Sequence, residues 1–220
     1  MKKVTAFIPI KLNNERTPGK NTRRFADGTP LCHLIQKTLL QVPEIDDIYV
    51  FCSDETICEY LLPGVRFIKR DKVLDSSSTL IGEVIGAFIQ AVPSDVYVMA
   101  HATAPFIKAE RFSEGIRAVL SAKNDSAFAC RRIADFLWSN GEPLNFKRDS
   151  IPRTQDLPLI YAENSSMYVF MREIFEKHHA RVGFSPHFCE CSEIESIDVD
   201  WPEDFMIADA VYTHIINNKK

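Results

Sequence analysis

The sequence predicts an α/β protein of three layers, α/β/α, in which helices cover both faces of a mostly parallel sheet. Two observations carry this. Apolar runs of strand length recur along the chain with little polar alternation, the pattern of strands buried on both faces. Segments with one apolar stripe per helical turn separate them, as crossovers between parallel strands require. Size and composition agree, since 220 residues with 45% hydrophobic content suffice for one well-buried core.

The strand candidates are Val4 to Ile10, Ile48 to Cys52, Val65 to Ile68, Val96 to Ala100, Ala127 to Cys130, Met167 to Phe170 and Ile197 to Val199. The clearest helix carries the stripe Leu80, Ile81, Val84, Ile85, Phe88 and Ile89. A closing helix is expected over Phe205, Ala208, Tyr212, Ile215 and Ile216, with Pro202 in its first turn and Asp204 near its N-terminus. Only Asp135 to Tyr161 breaks the pattern, being rich in Pro, Asn, Asp and Arg. It reads as an arm, a lid or a dimer contact within a single domain spanning residues 1–220. In such a sheet, ligands bind beyond the carboxyl ends of the strands, so the functional loops should follow the strands.

Charge narrows the partners. Lys and Arg total 26 against 30 Asp and Glu, a net charge of -4, so the bulk charge offers no general attraction to nucleic acid. Any anion site must be local. The apolar run after Met1-Lys2-Lys3 breaks at Pro9, too early for a signal-peptide core, and no apolar stretch approaches membrane-spanning length. A cytoplasmic location is expected. The six cysteines lie mostly in apolar segments and read as small core residues. A metal reading of His187-Phe-Cys-Glu-Cys191 is set aside, because its alternation suits a strand and no second pair stands at zinc-finger spacing.

The first strand runs into Pro9-Ile-Lys-Leu-Asn-Asn-Glu-Arg-Thr-Pro-Gly-Lys-Asn21. Three cations (Lys11, Arg16, Lys20) and two amides (Asn13, Asn14) share this short, turn-prone segment. A triphosphate needs such a cradle, in which Lys is a point charge, Arg a bidentate fork and amides supply neutral donors. Neither GxGxxG nor GxxxxGK[ST] is present, which takes most of the weight from the dinucleotide and P-loop readings. By spacing alone, a solvated surface loop with Pro-Gly turn chemistry remains equally open.

Asp198 and Asp200 form the second constellation. Two apart in an extended segment, they project from one face, roughly 7 Å apart along the strand, with Ile197 and Val199 on the other. Such a pair suits Mg²⁺, which accepts one or two carboxylates plus phosphate oxygens. Capping of the helix near Pro202 explains the same residues equally well.

Pro9, Arg16, Pro18, Gly19, Lys20 and Asn21 resemble the N-terminal motif of the acylneuraminate cytidylyltransferase family, the CMP-sialic acid synthetases, with similarity also to the CMP-KDO synthetases. Met99-Ala-His-Ala-Thr-Ala-Pro105 resembles that family's segment after the fourth strand. Arg153-Thr-Gln-Asp-Leu-Pro158 with Tyr161 and Asn164, and Ser196-Ile-Asp-Val-Asp200 with Glu203-Asp-Phe205, resemble two further family segments in the same order.

The resemblance implies a Rossmann-like nucleotidyltransferase architecture and transfer of a cytidylyl group from CTP to the anomeric hydroxyl of an acidic keto-sugar of the nonulosonic class. It implies Mg²⁺ on Asp198 and Asp200, and a catalytic set of Lys20, Arg16, Asp198 and Asp200. The nucleotide side would comprise Lys11, Asn13, Asn14, Arg16, Lys20, Asn21 and Arg70. The sugar side would comprise His101, Thr103, Arg153, Gln155, Tyr161 and Asn164. A homodimer joined through the arm is also implied.

Several positions depart from the family. Lys11 stands for an Arg, Leu12-Asn13 for Gly-Gly, Asn14-Glu15 for Ser-Lys, His101-Ala102 for Gln-Pro, and Asp71 for a Pro. Lys for Arg loses the bidentate fork, and Glu15 beside a triphosphate would repel it unless turned away or paired. These changes keep two other readings in play: a nucleotidyltransferase with another base or sugar, and a sugar-nucleotide-binding module without catalysis. Local pairing offers further alternatives. Arg153 can bond Asp156, and Asp54 can cap the helix that follows it.

Overall fold

The computed structural model describes residues 2–14 and 17–217. One seven-stranded sheet organises them, in the order β3-β2-β1-β4-β8-β5-β9. Its strands are β1 (Val4–Ile10), β2 (Asp47–Cys52), β3 (Val65–Lys69), β4 (Val96–Ala100), β5 (Ser126–Ile133), β8 (Ile160–Met171) and β9 (Pro186–Glu190). The short β6 (Trp138–Ser139) and β7 (Glu142–Pro143) pair only with each other. Every sheet pairing is parallel except those of β8, which runs antiparallel to both β4 and β5. The sheet is therefore mostly parallel, as expected.

Helices α1 (Leu31–Leu39) and α3 (Ala109–Leu120) cover one face. Ile35 and Leu39 of α1, and Phe112, Ile116 and Val119 of α3, join Ala6, Ile8, Val50 and Val98 in one core cluster. Gly115 lets α3 lie close, because a Cβ there would meet Ala127 and Met167 at 3.2 Å. Helices α2 (Ile81–Ala91) and α4 (Arg172–His178) cover the other face. There Phe88 stacks on Phe7 with centroids 4.2 Å apart and meets Phe51 edge-on at 5.4 Å. The apolar stripe of α2 holds at Val84, Ile85, Phe88 and Ile89, but Leu80 and Ile81 lie outside the core. The Leu80 N–H donates to Glu83 Oε2 at 2.7 Å, so this end of the stripe serves as a helix start.

The closing helix α5 (Pro202–Val211) begins at Pro202 as expected and continues into a π turn over Tyr212–Ile216. Phe205, Ala208 and Tyr212 pack with Phe25, Leu31 and Val199 in a third cluster. One expected strand is absent. Among the described residues Ile197 to Val199 is extended but pairs with no strand; the Val199 N–H donates to the Thr103 carbonyl at 2.8 Å, and the Ile197 N–H turns back to the Ile194 carbonyl at 3.3 Å. Apolar alternation reports an extended backbone with one buried side chain, and says nothing of a neighbouring strand.

The irregular segment carries a small hairpin outside the main sheet. β6 and β7 turn at Asn140 and Gly141, with φ of 52° and 82°, the left-handed pair a tight hairpin needs. Phe146 packs edge-on to Phe136 and Trp138, while Trp138, Leu144, Ile151 and Leu159 stay exposed. No helix among the described residues is long and apolar enough to cross a membrane.

Candidate functional site

The strand order reverses between β1 and β4, so the crevice at their carboxyl ends lies between the loop after β1 and the loop after β4. The Asp198–Asp200 segment is held between those two loops. Val199 hydrogen-bonds to Thr103 on one side, and the Thr17 hydroxyl donates to the Asp200 carbonyl at 2.9 Å on the other. The topology thus joins three segments far apart in sequence.

Gly19, at φ 68°, turns the first loop through the left-handed region into a 3-10 turn over Lys20–Thr22. This turns Lys20 inwards. Its ammonium, buried with only 9% of its side chain exposed, donates to Asp200 Oδ1 at 2.8 Å and to the Val199 carbonyl at 3.0 Å. The neighbouring Asn21 is buried too; its amide donates to the Lys11 carbonyl at 3.0 Å and to Asn14 Oδ1 at 3.4 Å, fixing the loop's shape. Arg16 and Glu15 lie outside the described residues.

Asp198 faces the same crevice. Burial raises its carboxyl pKa above the usual value, offset by the Thr103 hydroxyl and reinforced by the Asp200 charge. Its Oδ1 is buried with no hydrogen-bond partner among the described residues. An orphaned carboxylate oxygen beside a second carboxylate is what a divalent cation satisfies, so these residues fit Mg²⁺. The helix-capping alternative goes elsewhere: Asp204 Oδ2 accepts from the backbone N–H groups of Asp200 and Trp201 at 2.9 and 2.7 Å.

A cavity of about 400 Å³ opens on the other side of the first loop, lined by Leu12, Asn13, Ser53, Asp54, Lys69 and Asp75 among others. Asp75 is its hub. It accepts from Arg70 Nη2 and the Ser53 hydroxyl, each at 2.5 Å, while Lys11 Nζ reaches its carbonyl at 3.4 Å. Arg70 is buried, with its Nε unpartnered among the described residues. Of the residues named for the nucleotide side, Asn13 lines this cavity and Lys11 and Arg70 meet Asp75 at its wall. Asp54 accepts from the Thr56 N–H at 3.0 Å as the cap of a short 3-10 helix, in line with its alternative reading.

The sugar-side residues divide. His101, at the end of β4, bonds through its backbone N–H to the Ser166 carbonyl at 3.2 Å, and its Nε2 is buried without a partner among the described residues. Burial, then the positive charges of Arg181 and Lys20, depress its pKa to about 4, so the ring is neutral at pH 7. Thr103 touches both Asp198 and Val199. Asn164 donates to the Ser196 hydroxyl at 3.2 Å and accepts from Ser166.

Arg153 instead forks onto Asp156 at 2.7 and 3.1 Å, with 72% of its side chain exposed, and Gln155 is exposed beside it. Tyr161 reaches Glu190 at 3.3 Å and packs on Phe188. Among the described residues no hydrogen bond or ion pair links these three to the Lys20–Asp200 cluster.

Three residues missed by the sequence reading complete this side. Arg181 lies 3.7 Å over the Tyr168 ring and pairs with Glu163 at 3.2 Å, and the Tyr168 hydroxyl also donates to Glu163. A lone Arg in an unstructured connection carries no sequence signal.

A family model described as cytidylyltransferase matches residues 5–195. The chain is 26% identical over 214 residues to N-acylneuraminate cytidylyltransferase A of Danio rerio, covering 90% of this chain and 49% of the relative. It is 25% identical to CMP-N,N'-diacetyllegionaminic acid synthase of Legionella pneumophila, covering 94% and 95%. Against the first of these, and against the Oncorhynchus mykiss N-acylneuraminate cytidylyltransferase, the chain spans about half the relative's length. Among solved structures, a CMP:2-keto-3-deoxy-manno-octonic acid synthetase complexed with CTP superposes with a TM-score of 0.73 at 14% identity, covering 96% of this chain and 98% of that one. The 4-diphosphocytidyl-2C-methyl-D-erythritol synthase of Anaerococcus prevotii gives 0.65 at 15% identity, covering 97% of both. These likenesses show the nucleotidyltransferase fold.

Proposed function

Because this chain belongs to the cytidylyltransferase family, we propose that it transfers a cytidylyl group from CTP to the anomeric hydroxyl of an acidic keto-sugar of the nonulosonic class. The observation that carries the proposal is the convergence, at the β1/β4 switch point, of Lys20, Asp200 and the orphaned Asp198 carboxylate. A buried cation in contact with a carboxylate pair at one crevice suits a reaction dominated by positioning and charge neutralisation.

The hydroxyl oxygen of the sugar attacks the α-phosphorus, the bond to the β-phosphate bridging oxygen breaks, pyrophosphate leaves, and the hydroxyl proton passes to solvent. Lys20 neutralises charge on the leaving pyrophosphate, assisted by Lys11 and Arg16. Asn21 ties Lys11 and Asn14 together within that loop, and Asp75 orders Arg70 and Ser53 at the cavity beside it. Asp198 and Asp200 would hold Mg²⁺, which when bound would supply positive charge to the phosphates and Lewis acidity to the attacking hydroxyl. His101, neutral at pH 7, offers the sugar a hydrogen bond without a net charge, and Thr103 and Asn164 extend that side. The arm's exposed Trp138, Leu144 and Ile151 support a homodimer in which the arm packs on a second copy.

The test is pyrophosphate release from CTP with a panel of nonulosonic acids, with and without Mg²⁺. Turnover requiring both CTP and an acidic keto-sugar, lost in Asp198→Asn, is the expected result. CTP binding that ignores Mg²⁺ and Asp198→Asn, with no turnover on any acid of the panel, would refute it.

A further inference from the structure

The motif His187-Phe-Cys-Glu-Cys191, set aside on sequence spacing, takes on a different meaning once β9 is placed. Alternation along β9 turns His187 and Cys189 to the face covered by α3 and leaves Phe188 and Glu190 on the other, exposed. α3 places Glu114 opposite them. His187 Nε2 and Glu114 Oε1 lie 2.9 Å apart, and with the Cys189 sulfur the three ligand atoms all fall within 4.8 Å of one another. Tetrahedral zinc, with bonds of roughly 2.0 to 2.3 Å, separates its ligand atoms by about 3.3 to 3.7 Å, so closure needs shifts of about an ångström or less.

We propose that Glu114, His187 and Cys189 form a site for a borderline divalent ion of the zinc class, on the α3 face of the edge strand and separate from the Asp198–Asp200 crevice. One oxygen, one imidazole nitrogen and one sulfur form a mixed donor set that favours Zn²⁺, Co²⁺ or Ni²⁺ over Mg²⁺ or Ca²⁺. Glu114 uses its two oxygens separately. Oε1 faces His187 while Oε2 holds Arg111 at 3.0 Å, so the carboxylate can ligate through one oxygen and keep its partner on the other.

Nearby cations do not compete. Arg111 is shared with the buried Glu195 at 3.3 Å, and Arg117 is held by Glu44 at 2.6 Å. A cavity of about 550 Å³, lined by Glu114 and His187 together with Gln41, Ser113 and Arg117, opens beside the cluster and admits a water to the fourth position.

Binding deprotonates the Cys189 thiol, which burial otherwise keeps protonated, and releases that proton to solvent. The resulting charges balance, since a carboxylate and a thiolate meet a divalent ion. The ion would pin the sheet's edge strand to α3.

Cobalt tests this directly. Co²⁺ titrated into the full chain should produce a thiolate-to-cobalt charge-transfer band that saturates at one equivalent and is displaced by Zn²⁺. The carboxylate pair, having no sulfur, cannot produce that band. Cys189→Ser should abolish it and Cys58→Ser, on the exposed thiol, should leave it intact. Because Cys189 is buried and its variant can fail to fold, His187→Ala and Glu114→Gln serve as the second arm, each expected to weaken cobalt binding on the order of tenfold or more. Absence of the band at about 1 mM Co²⁺, its survival in folded Cys189→Ser, or its insensitivity to both His187→Ala and Glu114→Gln would overturn the proposal.

Discussion

Replacing Lys20 with Met separates a structural strut from a catalytic cation. The ammonium makes two buried contacts, to Asp200 at 2.8 Å and to the Val199 carbonyl at 3.0 Å, while Met restores most of the stem's apolar packing. Breaking a fully buried pair costs about 3 to 5 kcal/mol. Asp200 retains access to water, with 32% of its side chain exposed, which reduces the electrostatic part. The lost hydrogen bond to the carbonyl adds about 1 kcal/mol. A net loss of about 2 to 3 kcal/mol follows, or a Tm fall of roughly 4 to 12 °C for a chain of this size.

In the proposed reaction the same substitution removes a fixed cation from the departing pyrophosphate, which should cost about 10²- to 10³-fold in kcat. Urea denaturation and a coupled pyrophosphate assay read the two effects separately. The double variant Lys20→Met/Asp200→Asn should lose less stability than the sum of the singles. If Lys20→Met lost the expected stability yet stayed within threefold of the parent's kcat, Lys20 would be a strut alone and the phosphate assignment would be wrong.

His101 gives a pH prediction. A histidine held neutral, with its pKa lowered to about 4, contributes stability that is present above its unfolded value near 6.5 and is lost as pH falls through about 4. His101→Gln should flatten the Tm profile over that window, and an unchanged profile would deny that the ring is buried neutral. Gly115→Ala should cost about 1 to 3 kcal/mol by chemical denaturation, because the new methyl meets Ala127 and Met167 at 3.2 Å between α3 and the sheet. On the arm, Trp138→Ser with Leu144→Ser should convert a dimer to a folded monomer in light scattering; a parent protein that is already monomeric would refute the arm's proposed role.

The layered α/β architecture was legible because it rests on local pattern. Continuous apolar runs at β1, β2 and β4 and the 3.6-residue stripe of α2 each follow from burial of one short segment. β8 was less legible. Only its Met167 to Phe170 end is a continuous apolar run, and the antiparallel direction comes from the connection, which no residue in the strand encodes. The same limit applies at Ile197 to Val199, where alternation reported burial of Val199 and could not report the missing partner strand.

The candidate site divides along the same line. Residue type and backbone period are local properties, so the available chemical groups could be read along the chain: the cations and amides of the first loop, the same-face carboxylates Asp198 and Asp200, and the imidazole of His101. Tertiary structure alone decided which of them meet. It brought Lys20 to Asp200 across 180 residues, placed Arg181 over Tyr168, committed Arg153 to Asp156, and set Glu114 against His187. The physical reason is that hydrogen bonds and ion pairs act over a few ångströms of space, and the order of strands in the sheet sets those distances.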